Sequence, residues 1–197
     1  MVSLLASPLP NLRSLELAPG SEALLQRFFE ANPLYFLAVS GEPPQPEEAF
    51  EEINDGLPDG WSYTKKWVIG FASESGELAA MANVVSDLLA KDVWHISTFI
   101  VETARHGSGD AAKLYQGIES WAMANGAHWL RLGVVKGHAA AERFWQKCGY
   151  QQTRERSGVV FSQRVQTLRV MCKPLSGRPI SKYLELIERD RPESNAA

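Results

Sequence analysis

A glycine-rich turn between a predicted strand and a predicted helix is the part of this sequence best suited to bind an anion. The apolar run 93–101 predicts a strand, and apolar residues at three- and four-residue steps after Gly109 predict a helix that ends at Asn125-Gly126. Gly107 and Gly109 lie between these two elements. At such a turn, free backbone N–H groups and the positive end of a helix dipole point to one place, which suits a phosphate or pyrophosphate. Glycine lets the backbone approach a bulky anion, although many strand-to-helix turns need glycine for geometry alone.

The elements that must position this turn are helices and strands in an irregular order. In chain order, the periodicity predicts a strand, two helices, three strands, a helix, a strand, a helix and two strands. Because helices and strands do not alternate regularly, this order predicts an α+β fold rather than a doubly wound parallel sheet.

The C-terminal part of the chain carries the last predicted strands. They cover 150–155 and 165–172, with a turn near Ser157-Gly158 between them. From the length of 197 residues we expect one domain over 1–176, followed by a helical tail over 177–197.

Composition argues against several classes of protein. The formal net charge is −3 with acids and bases interspersed, so there is no electrostatic footprint for nucleic acid. Cys148 and Cys172 do not make a disulfide framework, and their surroundings predict buried, reduced thiols. The N-terminus lacks the charged region and apolar run of a signal peptide, and no stretch is long and apolar enough to span a bilayer. We expect a cytoplasmic protein with no membrane, nucleic-acid or metal partner.

The element order and two local motifs resemble the GNAT superfamily of N-acetyltransferases over most of the chain. The superfamily's cofactor motif is Arg or Gln, two residues, Gly, one residue, and Gly or Ala; it maps onto 106–111, with His106 at the first position. A later pattern of Asn, two residues, Ala, two residues, Phe-Tyr, three residues and Gly-Phe or Gly-Tyr maps onto 138–150. In that pattern His138 stands in place of Asn and Trp145 in place of Tyr. The resemblance implies a mixed, mostly antiparallel central sheet flanked by helices.

The resemblance also implies acetyl-CoA as the cofactor. Its pantetheine would pair with the backbone of the strand ending at Val101, and its pyrophosphate would bind the amides of 107–111. A splayed strand end offers unpaired backbone groups, and a helix N-terminus suits the anion. Arg105 or His106 would add a cation, and Asp110 is expected to cap the helix from the solvent side. The cofactor-binding residues so implied are Ile100, Val101, Arg105, His106, Gly107, Ser108, Gly109, Asp110, Ala111, His138, Phe144 and Trp145.

Acetyl transfer to an amine would need a neutral nucleophile. An alkyl ammonium group has a pKa near ~10.4, so forming the free amine at neutral pH costs about 4–5 kcal/mol, and a base within reach lowers that cost. Strand alternation predicts that His95, Ser97, Phe99 and Val101 share one face, which favours His95 as the base. Two alternatives stay open: His95 is a hydrogen-bonded strand residue without a catalytic role, or Glu102 is the base.

The leaving thiolate would need a proton. A tyrosine often supplies it in the GNAT superfamily, but Trp145 occupies that position here and cannot act as an acid. The donor is then Tyr150, another hydroxyl or water, or the thiolate leaves unprotonated.

The acceptor is expected to be a primary amine of a small molecule or peptide. Tyr35, Phe36 and Trp61 are candidate walls for it. Glu47, Glu48, Glu51 and Glu52 are interpreted as a solvated helix face rather than as an attractant for a cationic amine.

Three further alternatives remain open at this stage. A dinucleotide-binding or methyl-transfer domain could use the same turn, but the glycines follow several strands rather than the first, and no ribose-binding acid follows the next strand. A non-catalytic acyl-CoA-binding or regulatory relative is suggested by Trp145 and His106 at family positions. The late strands and the tail could also form a homodimer interface.

Overall fold

One sheet runs through the whole molecule. The computed structural model describes residues 3–175 and 177–194. Residues 1, 2, 176 and 195–197 lie outside that part of the chain, and so does the predicted domain boundary at residue 176. The strands are β1 (Arg13–Glu16), β2 (Lys65–Ala72), β3 (Leu78–Ser86), β4 (Val93–Val101), β5 (Trp129–Val135), β6 (Gln151–Phe161) and β7 (Arg164–Pro174).

The strand order and the flanking helices confirm the predicted α+β class. Within the described residues the sheet has seven strands in the order β1-β2-β3-β4-β5-β7-β6, and β4 with β5 is the parallel pair while the other neighbours are antiparallel. The helices are α1 (Glu22–Ala31), α2 (Leu34–Val39), α3 (Glu48–Asn54), α4 (Asp110–Ala124), α5 (Ala139–Lys147) and α6 (Ile180–Leu186), with short 3-10 helices at Thr103–Arg105 and Glu188–Asp190. None of the described helices is long and apolar enough to cross a membrane.

The sheet separates two cores. On one face α4 buries Leu114, Ile118 and Trp121, which recur at three- and four-residue steps. Trp121 packs edge-on against the stacked rings of Trp67 and Trp94, with centroids 5.1 and 5.2 Å away. On the other face α1 and α3 cover β1, β2 and β3 through a second cluster of buried aliphatic and aromatic side chains. The core on the α4 face therefore holds the strand that precedes the glycine turn.

A bulge in β4 changes which residues share a face. Asn83 pairs with Thr98 but Val84 pairs with Ile96, so Ser97 has no partner on β3. As a result Ile96 packs in the same core as Phe99, on the α4 face. The predicted strict alternation of β4 is wrong at this point, because the extra residue inverts the side-chain order. His95 lies on the opposite face from Phe99 and Val101.

The C-terminal elements differ from the prediction in two places. The residues Ser157 and Gly158 do not end a strand; they lie in a bulge of β6, where the pairing shifts between Arg156 and Val159. Gly158 has φ 76°, a conformation that glycine adopts without strain. The hairpin turn is further on, at Ser162, and both strands are longer than predicted.

Two helical segments also differ from the sequence pattern. Residues 34–39 form α2, a third helix before β2 where the predicted order has two; its N-cap Pro33 has φ −71°, which is compatible with a helix start. In the predicted helical tail, α6 ends at Leu186 and is followed by the 3-10 turn Glu188–Asp190. The tail is packed against the sheet: Tyr183 is fully buried and Ile187 is nearly so, against Trp129 and Cys172.

Candidate active site

The two parallel strands at the centre of the sheet separate and leave a cavity. β4 and β5 pair from Val93 with Trp129 to Ile96 with Leu132, and no pairing follows beyond that point among the described residues. The gap opens into a cavity of about 630 Å³. Its walls come from the diverging ends of β4 and β5, from α2, from the start of α5 and from the β6–β7 hairpin.

Backbone groups of β4 point into this gap. The N–H of Glu102 donates to the carbonyl of Ala79 on β3 at 2.9 Å. Since successive residues of a strand direct their backbone groups to opposite sides, those of Val101 and Phe99 point away from β3 and toward the gap. Nε2 of His106 lies 3.0 Å from the Val101 carbonyl and donates to it. The N–H groups of Phe99 and Val101 are thus presented to whatever enters between the strands.

The glycine turn at the end of β4 has the open geometry that an anion needs. Gly107 and Gly109 have φ values of 84° and 88°, and a Cβ at either would meet no atom within 4 Å. Lys113 is the first residue of α4 whose N–H bonds back into the turn, to Gly109 at 3.3 Å. The N–H groups of Ala111 and Ala112 therefore reach no acceptor in the described residues, as is general for a helix N-terminus.

Arg105 pairs with the two acidic residues around the turn. It donates to Asp110 at 3.0 Å and to Glu102 at 3.1 Å. The hydrogen bond to Asp110, with that to Glu102, raises the pKa of Arg105. Gly109, not Asp110, is the N-cap of α4. The predicted capping role of Asp110 is wrong, since its carboxylate is held by Arg105 and its charge is balanced there. Glu102, the second candidate base, does not line the cavity.

His95 lines the cavity and is held by β5. Its Nδ1 lies 3.0 Å from the carbonyl oxygen of Arg131 and 3.5 Å from the Arg131 guanidinium. Burial, together with the positive charge of Arg131, lowers the pKa of His95 to about 3. The ring is therefore neutral at ordinary pH and a weak proton acceptor. With Nδ1–H donating to the carbonyl, Nε2 carries the lone pair.

A buried ion pair lies beneath His95. Arg131 donates to Asp190 through Nε at 2.6 Å and through Nη2 at 3.0 Å, and both residues are 3% exposed or less. The hydroxyl of Tyr183 donates to the same carboxylate. Burial acts to raise the pKa of Asp190, but the hydrogen bonds and charge of Arg131 outweigh it and hold that pKa below its usual value. Trp61 lies over the Arg131 guanidinium, 5.5 Å from it to the ring centroid.

The motif residues of α5 divide between the cavity and the core. His138 and Trp145 line the cavity, whereas Phe144 does not and stacks on Phe99 with centroids 6.2 Å apart. Tyr150, the predicted proton donor, is 3% exposed and lies behind Trp145 at a centroid distance of 5.3 Å. Burial raises the pKa of Tyr150 well above its usual value. The structure does not bring Tyr150 to the gap.

Of the three residues predicted to contact the acceptor, two line the cavity and one lies in the core. Tyr35 and Trp61 line the cavity. Phe36 does not: it is 5% exposed in the core under α1, packed edge-on against Phe29 at 4.9 Å. Burial, and then the charge of Glu52, raises the pKa of Tyr35 to about 12, so its hydroxyl stays protonated.

Glu52 is not part of a solvated helix face. It accepts from Asn83 Nδ2 at 2.7 Å and from Thr98 Oγ1 at 3.4 Å, and burial raises its pKa. The prediction of a solvated side chain is wrong for this residue, because α3 turns it toward β3 and β4. Glu47 and Glu51 are exposed, in agreement with the prediction.

Four cavity or cavity-supporting residues escaped the sequence patterns. Arg131 could have been found, since it is a lone charge in the apolar run 129–135. Asn32, interpreted only as a helix stop, accepts the Thr103 N–H at 2.8 Å and ties α1 to the turn after β4. Asp190 gave no signal, because its partner Arg131 lies far away in sequence, and Arg156 gave none because no local pattern sets it apart.

The comparisons with known proteins show the family of this chain. A family model described as the acetyltransferase (GNAT) family matches residues 23–150, more than half of the chain. The chain belongs to the GNAT acetyltransferase family. Membership confirms the resemblance found in the sequence, and it supports acetyl transfer as the class of reaction. No protein of curated function matches the chain.

Solved GNAT structures share the fold at low identity. An acetyltransferase from Thermus thermophilus superposes with a TM-score of 0.64 at 19% identity, over 84% of this chain and 97% of that one. A spermidine N-acetyltransferase from Vibrio cholerae, in complex with CoA and spermine, gives 0.64 at 16% identity over 84% and 96%. The ribosomal-protein-S18-alanine N-acetyltransferase from Escherichia coli gives 0.61 at 13% identity over 85% and 96%.

Proposed function

We propose that this GNAT protein transfers the acetyl group of acetyl-CoA to a primary amine of a small molecule or peptide by direct attack. The observation that carries the proposal is the gap between β4 and β5, which begins after Ile96 and Leu132 and ends beside an open helix N-terminus. Family membership and the CoA-bound structure of the Vibrio cholerae relative support the choice of cofactor.

The residues around the gap fit acetyl-CoA, which supplies an acetyl group activated as a thioester. The N–H groups of Phe99 and Val101 are directed at the place where an amide or a carbonyl oxygen would need donors. The amides of Ala111 and Ala112 and the two glycines of the turn suit a pyrophosphate. Arg105 pairs with Asp110 and Glu102, so this one cation offsets part of the negative charge beside that anion.

At the acceptor end, the amine loses its proton because nearby positive charges lower its pKa, and not because a strong base removes the proton. His95, with a pKa of about 3, does not hold a proton taken from an ammonium group. The buried Arg131 and its neighbour Arg156 both line the cavity there. A positive neighbour within a few ångströms favours the neutral form of an amine. We therefore assign His95 to accepting a hydrogen bond from the acceptor, and the lowering of the amine pKa to the arginines.

The proton for the leaving thiolate has one phenolic source at hand among the described residues of the cavity, beside the aliphatic hydroxyls of Ser97 and Thr103. Tyr35 is the tyrosine that lines the cavity in the described chain, and it is protonated over the working pH range. We expect Tyr35→Phe to lower kcat by about 10- to 100-fold if its hydroxyl protonates the thiolate, with acetyl-CoA affinity unchanged. Turnover equal to wild type would leave water as the donor.

A thermal-shift titration tests the cofactor, with free CoA, NAD and S-adenosylmethionine in parallel. At one hundred times its dissociation constant a ligand stabilises the native state by roughly 2.7 kcal/mol. We expect stabilisation by acetyl-CoA and CoA only, followed by thiol release with an amine panel. A response to NAD or S-adenosylmethionine instead would refute the assignment.

A non-catalytic acyl-CoA-binding protein is the second candidate. Trp145 in place of the family tyrosine and the low pKa of His95 favour it. Tight acetyl-CoA binding with no thiol release on any amine class would select this candidate.

A further inference from the structure

Four arginines surround a single carboxylate at the acceptor end of the cavity. Arg131 comes from β5, Arg154 and Arg156 from β6, and Arg189 from the 3-10 turn before Asp190. Arg131, Arg154 and Arg189 all act on the pKa of Arg156 through their charge, and Asp190 is the acid that opposes them. Among the described residues, the positive charge that acts on Arg156 therefore exceeds the negative charge of Asp190.

Three of these guanidinium groups have identifiable contacts within the protein. Arg131 holds both oxygens of Asp190. Arg154 donates through Nη1 to the carbonyls of Arg189 at 2.6 Å and Ser194 at 2.9 Å. The Arg189 guanidinium lies over the ring of Trp61, 4.3 Å from its centroid. Arg131 and the Tyr183 hydroxyl make three hydrogen bonds to the carboxylate of Asp190, and among the described residues Arg156 makes none with it.

Arg156 is the exception. It is half-buried and lines the cavity, yet it makes no hydrogen bond or ion pair with any residue in the described part of the chain. Its Nε is fully enclosed and unpartnered. Burial, and then the charges of Arg189, Arg131 and Arg154, lowers its pKa. Since arginine stays charged in proteins, this is a cation without a counter-ion, and buried charges are normally paired.

The position of the cluster separates it from the cofactor's phosphates. His95 and Arg131 are paired at the closed end of the gap, and the glycine turn follows Val101 at the other end of β4. Six residues of strand span about 20 Å. The neighbours of Arg131 on β5, Leu130 and Leu132, pack in the core on the α4 face, so Arg131 lies on the opposite face of the sheet.

We propose that the acceptor end of this cavity is an anion subsite, and that the amine acceptor carries a carboxylate or a phosphate that Arg156 binds. The inference rests on the proposed acetyl transfer and names its substrate class. An amine without an anionic group would enter the cluster as a second unbalanced cation, whereas a zwitterionic acceptor supplies the missing counter-ion. Trp61 then forms the wall beside that group, and the arginines favour the neutral form of the amine once the acceptor is bound.

A binding experiment tests the subsite without depending on turnover. Inorganic phosphate and glutarate are titrated, at constant ionic strength, into the full chain saturated with CoA, and stability is followed by thermal shift. We expect at least one probe to stabilise the wild type, and Arg156→Gln to raise its apparent dissociation constant about 10- to 100-fold. Arg13→Gln, at an exposed arginine of β1, is the matched control and should bind as wild type does. The probe with the lower apparent dissociation constant shows whether the group is a carboxylate or a phosphate.

Two results of that experiment would overturn the proposal. One is that neither probe stabilises the wild type, or that Arg156→Gln binds the probe equally well. The other is that Arg156→Gln weakens CoA itself, which would assign Arg156 to the cofactor. If Arg156→Gln fails to fold, Arg156→Lys replaces it; loss of the two-pronged guanidinium should still weaken the probe, and unchanged binding would count against the subsite.

Matched acceptors then separate this inference from the proposed function. Thiol release is measured for 4-aminobutyrate against butylamine, and for phosphoethanolamine against ethanolamine. We expect the anionic members to be preferred in kcat/KM by about 10-fold or more, and the preference to vanish in Arg156→Gln. Equal use of butylamine and ethanolamine, which lack an anionic group, would refute the subsite while leaving acetyl transfer intact. Failure of CoA to bind at all would instead refute the proposed function.

Discussion

Replacing Asp190 by Asn should destabilise the fold more than any other single change of a charged residue in the tail. The Asp190 side chain is fully buried, and Arg131, its partner, is 4% exposed. Removing one member of a buried pair leaves the other charge uncompensated, at a cost of about 3–5 kcal/mol. Asn keeps one oxygen acceptor, so the lower end of that range is expected. For a chain of this size each kcal/mol lowers Tm by about 2–4 °C, so the Tm should fall by roughly 6–12 °C.

Urea denaturation at pH 7 measures this change directly. Asp59→Asn, at an exposed loop carboxylate, is the matched control and should stay within about 0.5 kcal/mol of wild type. The pKa of Asp190 is lowered in the folded state. Its contribution is therefore complete above the unfolded pKa of about 3.9, and it is lost as pH falls through the lower folded value. The difference between wild type and Asp190→Asn should narrow below about pH 4.

Two outcomes would refute the account of the Arg131–Asp190 pair. A loss of less than about 1 kcal/mol at pH 7 would show that the pair is solvated. A difference that stays constant from pH 7 to pH 3 would show that Asp190 is not ionised in the native protein. Added salt provides a further check, since a buried pair is screened far less than an exposed one.

Three further predictions concern the two ends of the cavity. Gly109→Ala and Gly20→Ala, both at positive φ with open space around the new Cβ, should each lose about 1–2 kcal/mol of stability. Only Gly109→Ala should also weaken acetyl-CoA in a binding titration, roughly ten-fold; equal affinities would mean that the turn does not bind the cofactor. Because the pKa of His95 is about 3, kcat/KM should rise smoothly from pH 6 to 9 as the fraction of free amine increases, and His95→Gln should show the same pH profile. An inflection near ~6.5 in the wild type that is absent from the variant would restore His95 as the base. Arg156→Gln should leave the free energy of unfolding unchanged or raise it by up to about 2 kcal/mol, since it removes an unpaired cation. Urea denaturation measures this change, and a loss of stability would mean that the guanidinium is already paired.

The sequence patterns predicted the parts of the fold that depend on local periodicity. Apolar spacing in 111–122 identified α4, and the glycines of 107–109 marked the turn at its start. The strand alternation of β4 failed at Ser97 because a bulge depends on the partner strand, which local spacing does not contain. The turn assigned to Ser157-Gly158 failed for the same reason: glycine suits a bulge as well as a turn.

The candidate site was predictable where one segment makes it and unpredictable where distant segments meet. The cofactor turn lies within a few residues of β4, so a motif is enough to find it. The acceptor end combines β5, β6 and the tail, and Arg131 meets Asp190 across 59 positions of sequence. Burial, and then the charge of Arg131 from another strand, lowers the pKa of His95, so the choice of His95 as a base could not be checked from the sequence alone.

The central claim is that acetyl-CoA binds in the gap between β4 and β5 with its phosphates on the glycine turn. Amide ¹H–¹⁵N spectra of the full chain, recorded during a titration with acetyl-CoA, test this at single residues. We predict saturable shifts that are largest for Gly107, Gly109, Ala111 and Ala112 and for residues 97–101. Shifts confined to other surfaces, or no saturable change, would contradict the account.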